Sequence, residues 1–276
     1  MSAPSPADTY VLGTHAAELE RLRLQHTLWR PSSEAAFDRA GLGAGARVLD
    51  LGAGPGFVAL DLARRVGPQG LVLALERSPV YVAAGRALAA EAGLPQLQLR
   101  EHDLLRDPLP REGFDLAWMR WVAMFLSDLE PLLSQLPQAL RPGGRLVVHE
   151  YMHWDTFGLH PHGRAIARFG QAVQHHFRMA GGDPDVNRRL PSLLAARGWA
   201  IDALTPLPVL GAAGSMAARW MQRFVEVYSC QLTAEGLWSA ADQAEAEGEM
   251  AAATADPGSY WVGPTVLELR ATRWAP

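Results

Sequence analysis

Five short apolar runs alternate with helical segments between residues 46 and 149, and this alternation constrains the fold more than any other feature. The runs lie at 46–51, 71–75, 97–100, 114–118 and 145–149. Helices are predicted between them at 56–66, 79–92 and 128–140. Strands that alternate with helices form a parallel sheet with right-handed crossovers, so the sequence predicts an α/β fold.

The segments on either side extend this pattern. Residues 15–30 carry leucines at helical spacing, and Pro31 predicts the end of that helix. After an irregular stretch at 151–186 the chain predicts a helix at 187–197, a strand at 199–205, a helical region at 214–251 and a strand at 265–273. We expect three parts: an N-terminal helical cap at 1–40, a core at 41–150, and a remainder at 151–276 with insertions at about 151–186 and 208–262.

A glycine-rich turn with the sequence VLDLGAGPG, Val48–Gly56, follows the first apolar run and precedes a helix. Gly52 and Gly54 permit backbone conformations that other residues avoid, and Gly56 leaves room for a ligand at the helix start. We therefore expect a ligand on this turn, in contact with the three glycines and with Ala53. A tight turn with a structural role alone is the alternative.

The glycine spacing separates this turn from a dinucleotide site. A dinucleotide fingerprint requires a third glycine or alanine where Phe57 stands, so a nicotinamide-dependent oxidoreductase is disfavoured. Asp50 stands two positions before the first glycine, where a carboxylate suits a cationic group better than a phosphate. We expect Asp50 to face an amino or sulfonium group; otherwise it caps the amides of its own turn.

Acidic residues also mark the ends of the next two runs. Glu76 ends the second run, where a carboxylate can accept both hydroxyls of a ribose, and Arg77 is placed to cover an adenine face. Asp103 and Leu104 follow the third run and are candidate adenine contacts. Because the carboxyl ends of parallel strands share one edge of the sheet, this array predicts a site for a nucleoside with a cationic tail.

In these features residues 46–150 resemble the class I S-adenosylmethionine-dependent methyltransferases. VLDLGAGPG is similar to their first motif, Glu76 to their ribose-binding acid and Asp103 to their adenine contact, and RPGGRLVV before the fifth run is typical of them. The resemblance implies S-adenosylmethionine as the cofactor. It also implies a Rossmann-like, doubly wound, mostly parallel seven-stranded sheet with helical cap insertions, whose last strand at 265–273 runs antiparallel.

A narrower resemblance concerns the segment YVLGTHAAELERLRLQ, which is similar to the leader of a bacterial small-molecule methyltransferase group. It implies cofactor contacts for Tyr10 and Gln25. In such enzymes the stretch after the fourth strand, here residues 119–121, touches the methionine part of the cofactor and the acceptor, which implies a role for Arg120. That stretch has no Asn-Pro-Pro-Tyr motif, so methylation of adenine amines or glutamine amides is disfavoured.

Three candidate bases lie at the end of the fifth run: His149, Glu150 and His153. If the acceptor is a hydroxyl or a protonated amine, we expect one of them to assist its deprotonation. The alternatives are a buried His149, a Glu150 paired with arginine and a His153 that only shapes the pocket. Methyl transfer needs no metal, and the six histidines between residues 149 and 176 match no common ligand spacing, so no metal is expected.

Composition limits the partners. The 25 basic residues are all arginine, are scattered among 29 acidic residues and give a formal net charge of −4, so no nucleic-acid partner is expected. Cys230 is the single cysteine, the first residues lack a secretory pattern and no apolar run approaches a membrane span, which predicts a cytoplasmic protein without a membrane partner. A homodimer stays open.

The sequence thus predicts an enzyme that moves the methyl group of S-adenosylmethionine to oxygen or nitrogen of a small-molecule acceptor by in-line displacement. Two alternatives remain. The acceptor is a peptide or protein, or the chain is a catalytically silent S-adenosylmethionine-binding partner protein.

Overall fold

The computed structural model describes residues 16–274, which fall into two compact units. We call the first the sheet unit; it comprises Trp29–Glu150, Val186–Pro206 and the chain from Leu267 onward. We call the second the insertion unit; it comprises the chain up to Leu28, Tyr151–Asp185 and Leu207–Val266. Tyr10, a predicted cofactor contact, lies outside the described residues.

The strands of the described chain are β1 Arg47–Leu51, β2 Leu71–Glu76, β3 Leu97–Glu101, β4 Phe114–Arg120, β5 Leu140–His153, β6 Gly158–His160, β7 Trp199–Leu207, β8 Leu210–Ala212, β9 Tyr260–Val262 and β10 Thr265–Arg273. Its α-helices are α1 Ala16–Arg39, α2 Phe57–Val66, α3 Pro79–Glu91, α4 Glu130–Ala139, α5 Arg164–Met179, α6 Leu190–Ala195, α7 Met216–Ala234 and α8 Ala240–Ala255. Within residues 16–274, no helix combines the length and apolar character needed to span a bilayer.

Seven strands form one sheet in the order β3-β2-β1-β4-β5-β10-β7. The neighbours β3 and β2, β2 and β1, β1 and β4, and β4 and β5 all pair in parallel. Because β1 has β2 on one side and β4 on the other, the winding reverses at β1, and ligands of such sheets bind beside the carboxyl ends of the strands at that point. The predicted Rossmann-like fold is confirmed.

The direction of β10 follows from two contacts with β5. Glu268 near the start of β10 bonds to His149 near the end of β5. Arg273 at the end of β10 donates to the carbonyl of Leu140 at the start of β5. The two strands therefore run in opposite directions, as the resemblance implied.

Two predicted boundaries are wrong. Helix α1 continues through Pro31 to Arg39, because Ala36 and Phe37 beyond the proline are fully buried and their packing outweighs one lost backbone hydrogen bond. The fifth strand was predicted to begin at residue 145, after a turn at 141–144 that ends the preceding helix, but residues 141–144 lie inside β5. Leu140 pairs with Phe114 and Arg145 with Leu116, so the turn sequence forms a bulge in the strand pairing.

The insertion unit contains structure that the sequence did not predict. The stretch at 151–186 includes β6 and the 16-residue helix α5, and the helical region at 214–251 is two helices, α7 and α8. The strands β6, β9 and β8 form a small antiparallel sheet. The core of this unit is a cluster of buried aromatic side chains: Trp154, Phe157, Phe169, Phe177, Phe224, Tyr228, Trp238 and Trp261.

Candidate functional site

The glycine turn lies between β1 and α2 and needs its glycines for different reasons. Gly52, Gly54 and Gly56 all have left-handed φ values, of 68°, 56° and 83°. A Cβ on Gly52 would lie 2.4 Å from Cγ2 of Val122, so this glycine allows close packing of the chain. A Cβ on Gly54 would meet no described atom within 4 Å, so the turn faces open space there. Ala53 ties the turn to β2 by donating its amide to the carbonyl of Leu75 at 2.9 Å.

Glu76 lies at the end of β2 with its carboxylate against this turn. Its Oε2 accepts from the amide of Gly54 and its Oε1 from the amide of Ser78, both at 2.8 Å. Burial raises the pKa of Glu76, and these amides oppose the shift. The amide of Arg77 opposes the shift as well. Each carboxylate oxygen has two lone pairs, so the group retains accepting capacity for a ligand.

Asp50 is 2% exposed near the end of β1, and its Oδ2 has no hydrogen-bond partner among the described residues. Burial raises the pKa of Asp50 to about 7; the charge of Arg120 opposes the shift and that of Glu76 adds to it. A buried carboxylate without a partner is costly unless a ligand compensates it. The structure thus supports a polar ligand at Asp50 rather than the alternative of a simple turn cap.

The candidate adenine contacts follow β2 and β3 at the same edge. Asp103 accepts from the amide of Leu105 through Oδ1 at 2.9 Å, so it shapes its own turn while remaining partly exposed. Leu104 is buried, and Arg77 is half-buried directly after Glu76. The amide of His102 donates to the carbonyl of Glu76 at 2.9 Å, which joins the ends of the two strands.

The segment after β4 completes the site within the sheet unit. Trp121 has φ 53°, a left-handed conformation that is strained for a bulky residue, and such strain is concentrated at functional sites. The guanidinium of Arg120 lies 4.9 Å from the Trp121 ring centroid and donates to Ser33 Oγ at 3.0 Å. The ring of Trp29 meets that of Trp121 edge-on at 5.3 Å. Sequence reasoning missed Ser33 and Trp29, since nothing in their local pattern indicates this contact.

Two of the three candidate bases are buried in the sheet unit. His149 is fully buried, with its Nε2 3.2 Å from Glu268 Oε2 and its ring centroid 4.8 Å from that of Trp118. Burial lowers the pKa of His149, against the effect of the Glu268 carboxylate. Glu150 is also fully buried and accepts from the amides of Val122 and Ala123. These contacts favour structural roles for both residues.

His153 and Gln25 belong to the insertion unit. His153 is exposed at the end of β5. Gln25 is 9% exposed, and its Oε1 accepts from Arg21 Nη1 at 2.9 Å and from Trp220 Nε1 at 3.1 Å. The described residues include no group of three or more potential metal ligands.

Comparison with known proteins identifies one part of the sheet unit. Residues 48–144 match the family model described as a methyltransferase domain. These residues are a class I methyltransferase domain. The resemblance found in the sequence is therefore confirmed, and the glycine turn, Asp50, Glu76 and Asp103 all lie inside the methyltransferase domain.

Two curated relatives resemble the region of the methyltransferase domain. The chain is 29% identical over 127 residues to the ubiquinone/menaquinone biosynthesis C-methyltransferase of Hahella chejuensis, covering 46% of this chain and 50% of the relative. It is 32% identical over 118 residues to the nocamycin O-methyltransferase of Saccharothrix syringae, covering 43% and 42%. The matches thus span about half the length of these relatives.

The fold also matches solved structures. The YcgJ protein of Bacillus subtilis superposes with a TM-score of 0.58 at 15% identity, covering 90% of this chain and 100% of that one. At this identity the match shows the shared fold alone.

Proposed function

We propose that this protein is an S-adenosylmethionine-dependent methyltransferase that acts on a small-molecule acceptor. The proposal rests on the arrangement of two acids at the glycine turn. The carboxylate of Glu76 accepts from the amide of Gly54, where the turn faces open space, and the buried Asp50 has an oxygen without a partner among the described residues. This arrangement offers a ribose acceptor and an anionic group for a cationic tail within one site.

The residues present fit S-adenosylmethionine. Glu76 would accept the ribose hydroxyls, and Asp103 with Leu104 would contact the adenine. Asp50 would face the ammonium or sulfonium group, and the amides of the glycine turn would meet the polar methionine part. Among the described residues, Oδ2 of Asp50 has no hydrogen-bond partner, and the carboxylate of Glu76 accepts from backbone amides such as those of Gly54 and Ser78. Both groups can therefore still bind a ligand.

When bound, S-adenosylmethionine supplies an electrophilic methyl group on a positively charged sulfur. The protein then has to align an acceptor with that methyl group, and good alignment contributes about 7–11 kcal/mol to such displacements. A base is needed only where the acceptor atom carries a proton in its resting form. His153 is the exposed member of the three candidates, so we keep it as the candidate base.

The acceptor we propose is a small organic molecule with an oxygen or nitrogen nucleophile. The two relatives above are named for small-molecule methylation, one at carbon and one at oxygen. The scattered charges of the sequence offer no basic block for a nucleic acid.

The test is the release of S-adenosylhomocysteine from purified protein in the presence of pooled phenols, carboxylic acids, amines and peptides. We expect turnover with a small-molecule pool. Turnover with peptides alone would replace the proposed acceptor class. Binding of S-adenosylmethionine without turnover in any pool would favour the silent partner protein.

The glycine turn gives a prediction with a matched control. Gly54→Ala and Gly93→Ala both introduce a Cβ into open space at similar left-handed φ values, 56° and 64°. Each substitution should lower the free energy of unfolding by about 1–2 kcal/mol. Only Gly54→Ala should weaken S-adenosylhomocysteine binding, by at least about tenfold (about 1.4 kcal/mol), since Gly93 follows α3, away from the glycine turn. Equal affinities of the two variants in calorimetry would show that the turn does not bind the cofactor.

Asp50 gives a prediction about protons. Its pKa of about 7 leaves it roughly half protonated at neutral pH, and a cationic ligand should lower that pKa. Binding should therefore release about half a proton at pH 7, and affinity should fall as the pH drops below 7. Calorimetry in buffers of different ionisation heats measures this release. Asp50→Asn should remove most of this release, and an identical proton count in both proteins would contradict the assignment.

A further inference from the structure

The side chain of Glu150 links β5 to the segment that follows β4. Its Oε1 accepts from the amide of Val122 at 2.5 Å and from that of Ala123 at 2.7 Å. The side chain is fully buried and its Oε2 has no partner among the described residues. One carboxyl oxygen therefore holds the first turn of the short 3₁₀-helix Ala123–Phe125.

That segment packs directly on the glycine turn. The Val122 side chain occupies the space that a Cβ on Gly52 would need, at 2.4 Å. Directly before it, Trp121 has its left-handed φ of 53°, which persists only where the surroundings hold it. The hydrogen bonds that backbone amides donate to Glu150 begin at the next residue, Val122, so they help to maintain the conformation of Trp121.

The backbone at Glu150 is itself anchored. Asn187 is fully buried and donates from Nδ2 to the carbonyl of Glu150 at 3.3 Å and to that of Leu267 at 2.7 Å. The Asn187 side chain thus links β5 to β10 at Glu150, the residue whose carboxyl accepts from the segment after β4. Because the backbone of Glu150 is fixed in this way, its carboxyl has a fixed position relative to Val122.

We propose that Glu150 is a positioning residue that holds residues 121–123 against the glycine turn and thereby sets the affinity for the cofactor, more strongly when its carboxyl is ionised. This inference rests on the proposed function. It assigns the candidate base Glu150 to the support of the binding site instead of to proton transfer.

The charge state of Glu150 is sensitive to pH in the range where most assays are done. Burial raises the pKa of Glu150 to about 8, against the effect of the amides of Val122, Ala123 and Met124. Among the described residues, no charged group on β5 or on its neighbours β4 and β10 is a cause of this shift, including Arg120, His149 and Glu268, and neither is Asp50 on β1. Ionisation strengthens hydrogen bonds from amides, so the segment should be held most firmly above pH 8.

The test compares S-adenosylhomocysteine affinity of wild type, Glu150→Gln and Glu150→Met between pH 6.5 and 9. Glutamine keeps an acceptor oxygen without the charge, so it should bind within about threefold (about 0.65 kcal/mol) of wild type at pH 6.5. Methionine keeps the length without an acceptor, so it should bind at least about tenfold (about 1.4 kcal/mol) more weakly. Between pH 7 and 9 the affinity of wild type should rise about threefold or more relative to Glu150→Gln, because only wild type ionises.

Glu268→Gln is the matched control. Glu268 is also fully buried in the sheet unit, but it is bonded to Arg39 and His149 instead of to the segment after β4. This variant should lose stability and keep the wild-type affinity and pH profile at 10 °C, with folding verified by circular dichroism. Equal affinities and pH profiles for wild type and both Glu150 variants would overturn the positioning role. Wild type that fails to bind S-adenosylhomocysteine would instead refute the proposed function, and this inference with it.

Discussion

Glu76→Ala should weaken the binding of S-adenosylmethionine by about 100-fold or more. Hydrogen bonds to a charged acceptor contribute about 1.5–3 kcal/mol each, and in the proposed function the carboxylate accepts the ribose hydroxyls. The substitution also removes the acceptor that holds the Gly54 amide at 2.8 Å, so the turn itself is loosened. Calorimetric titration of both proteins measures the change.

Glu112→Ala is the control for this substitution. Glu112 is an exposed glutamate of the same unit that forms an ion pair with Arg47 at 2.8 Å before β4, away from the carboxyl edge. Exposed ion pairs contribute little, so this variant should keep the wild-type affinity. A loss of less than about threefold (about 0.65 kcal/mol) in Glu76→Ala would contradict the role of Glu76 in the site.

Glu268→Ala should lower the free energy of unfolding by about 1–3 kcal/mol, because it leaves the buried His149 and the guanidinium of Arg39 without their acceptor. Glu268 is fully buried between Arg39 and His149, at 2.9 Å from Arg39 Nε and 3.2 Å from His149 Nε2. Urea unfolding at pH 7 measures the loss. Glu245→Ala, which removes an exposed partner of Arg168, should change stability by less than about 1 kcal/mol.

The same carboxylate makes the protein sensitive to acid. Burial alone would raise the pKa of Glu268, but the hydrogen bonds from His149 and Arg39 lower it to about 2 from its ordinary value of 4.5. Its stabilising contribution is therefore complete above pH 4.5 and is lost as the pH falls through 2, with a total of about 3 kcal/mol. His149, with its pKa lowered by burial, acts in the same direction below its ordinary value of 6.5. Wild type should lose stability between pH 5 and 3 more steeply than Glu268→Gln; parallel curves would contradict the linkage.

The sequence was sufficient for the parts of the fold that depend on local pattern. Each predicted strand of the seven-stranded sheet is present because apolar runs bounded by glycine and proline give a strong signal over a few residues. The end of α1 was wrong because the packing of Ala36 and Phe37 on the core, which no local pattern reports, carries the helix past Pro31. Helix α5 was missed although its sequence carries a helical signal: Ile166, Phe169, Val173 and Phe177 recur at helical spacing and form its buried face.

The candidate site residues also differ in how far the local sequence indicates their contacts. The glycine turn, Asp50 and Glu76 could be proposed as site residues from the sequence because each stands at the end of a predicted strand. The contacts of Glu150 and His149 are with residues 27 to 119 positions away, so the sequence indicated their chemistry but not their partners. An acidic residue at the end of a buried strand can act as a catalytic base, form an ion pair or accept hydrogen bonds from the amides of a neighbouring loop. Only the folded structure shows which of these partners it meets.

Calorimetric titration of the wild-type protein with S-adenosylmethionine and, separately, with NADH tests the central claim most directly. We expect micromolar binding of S-adenosylmethionine and no binding of NADH, because the glycine turn, Asp50 and Glu76 suit a nucleoside with a cationic tail. Binding of NADH, or no binding of S-adenosylmethionine, would contradict it.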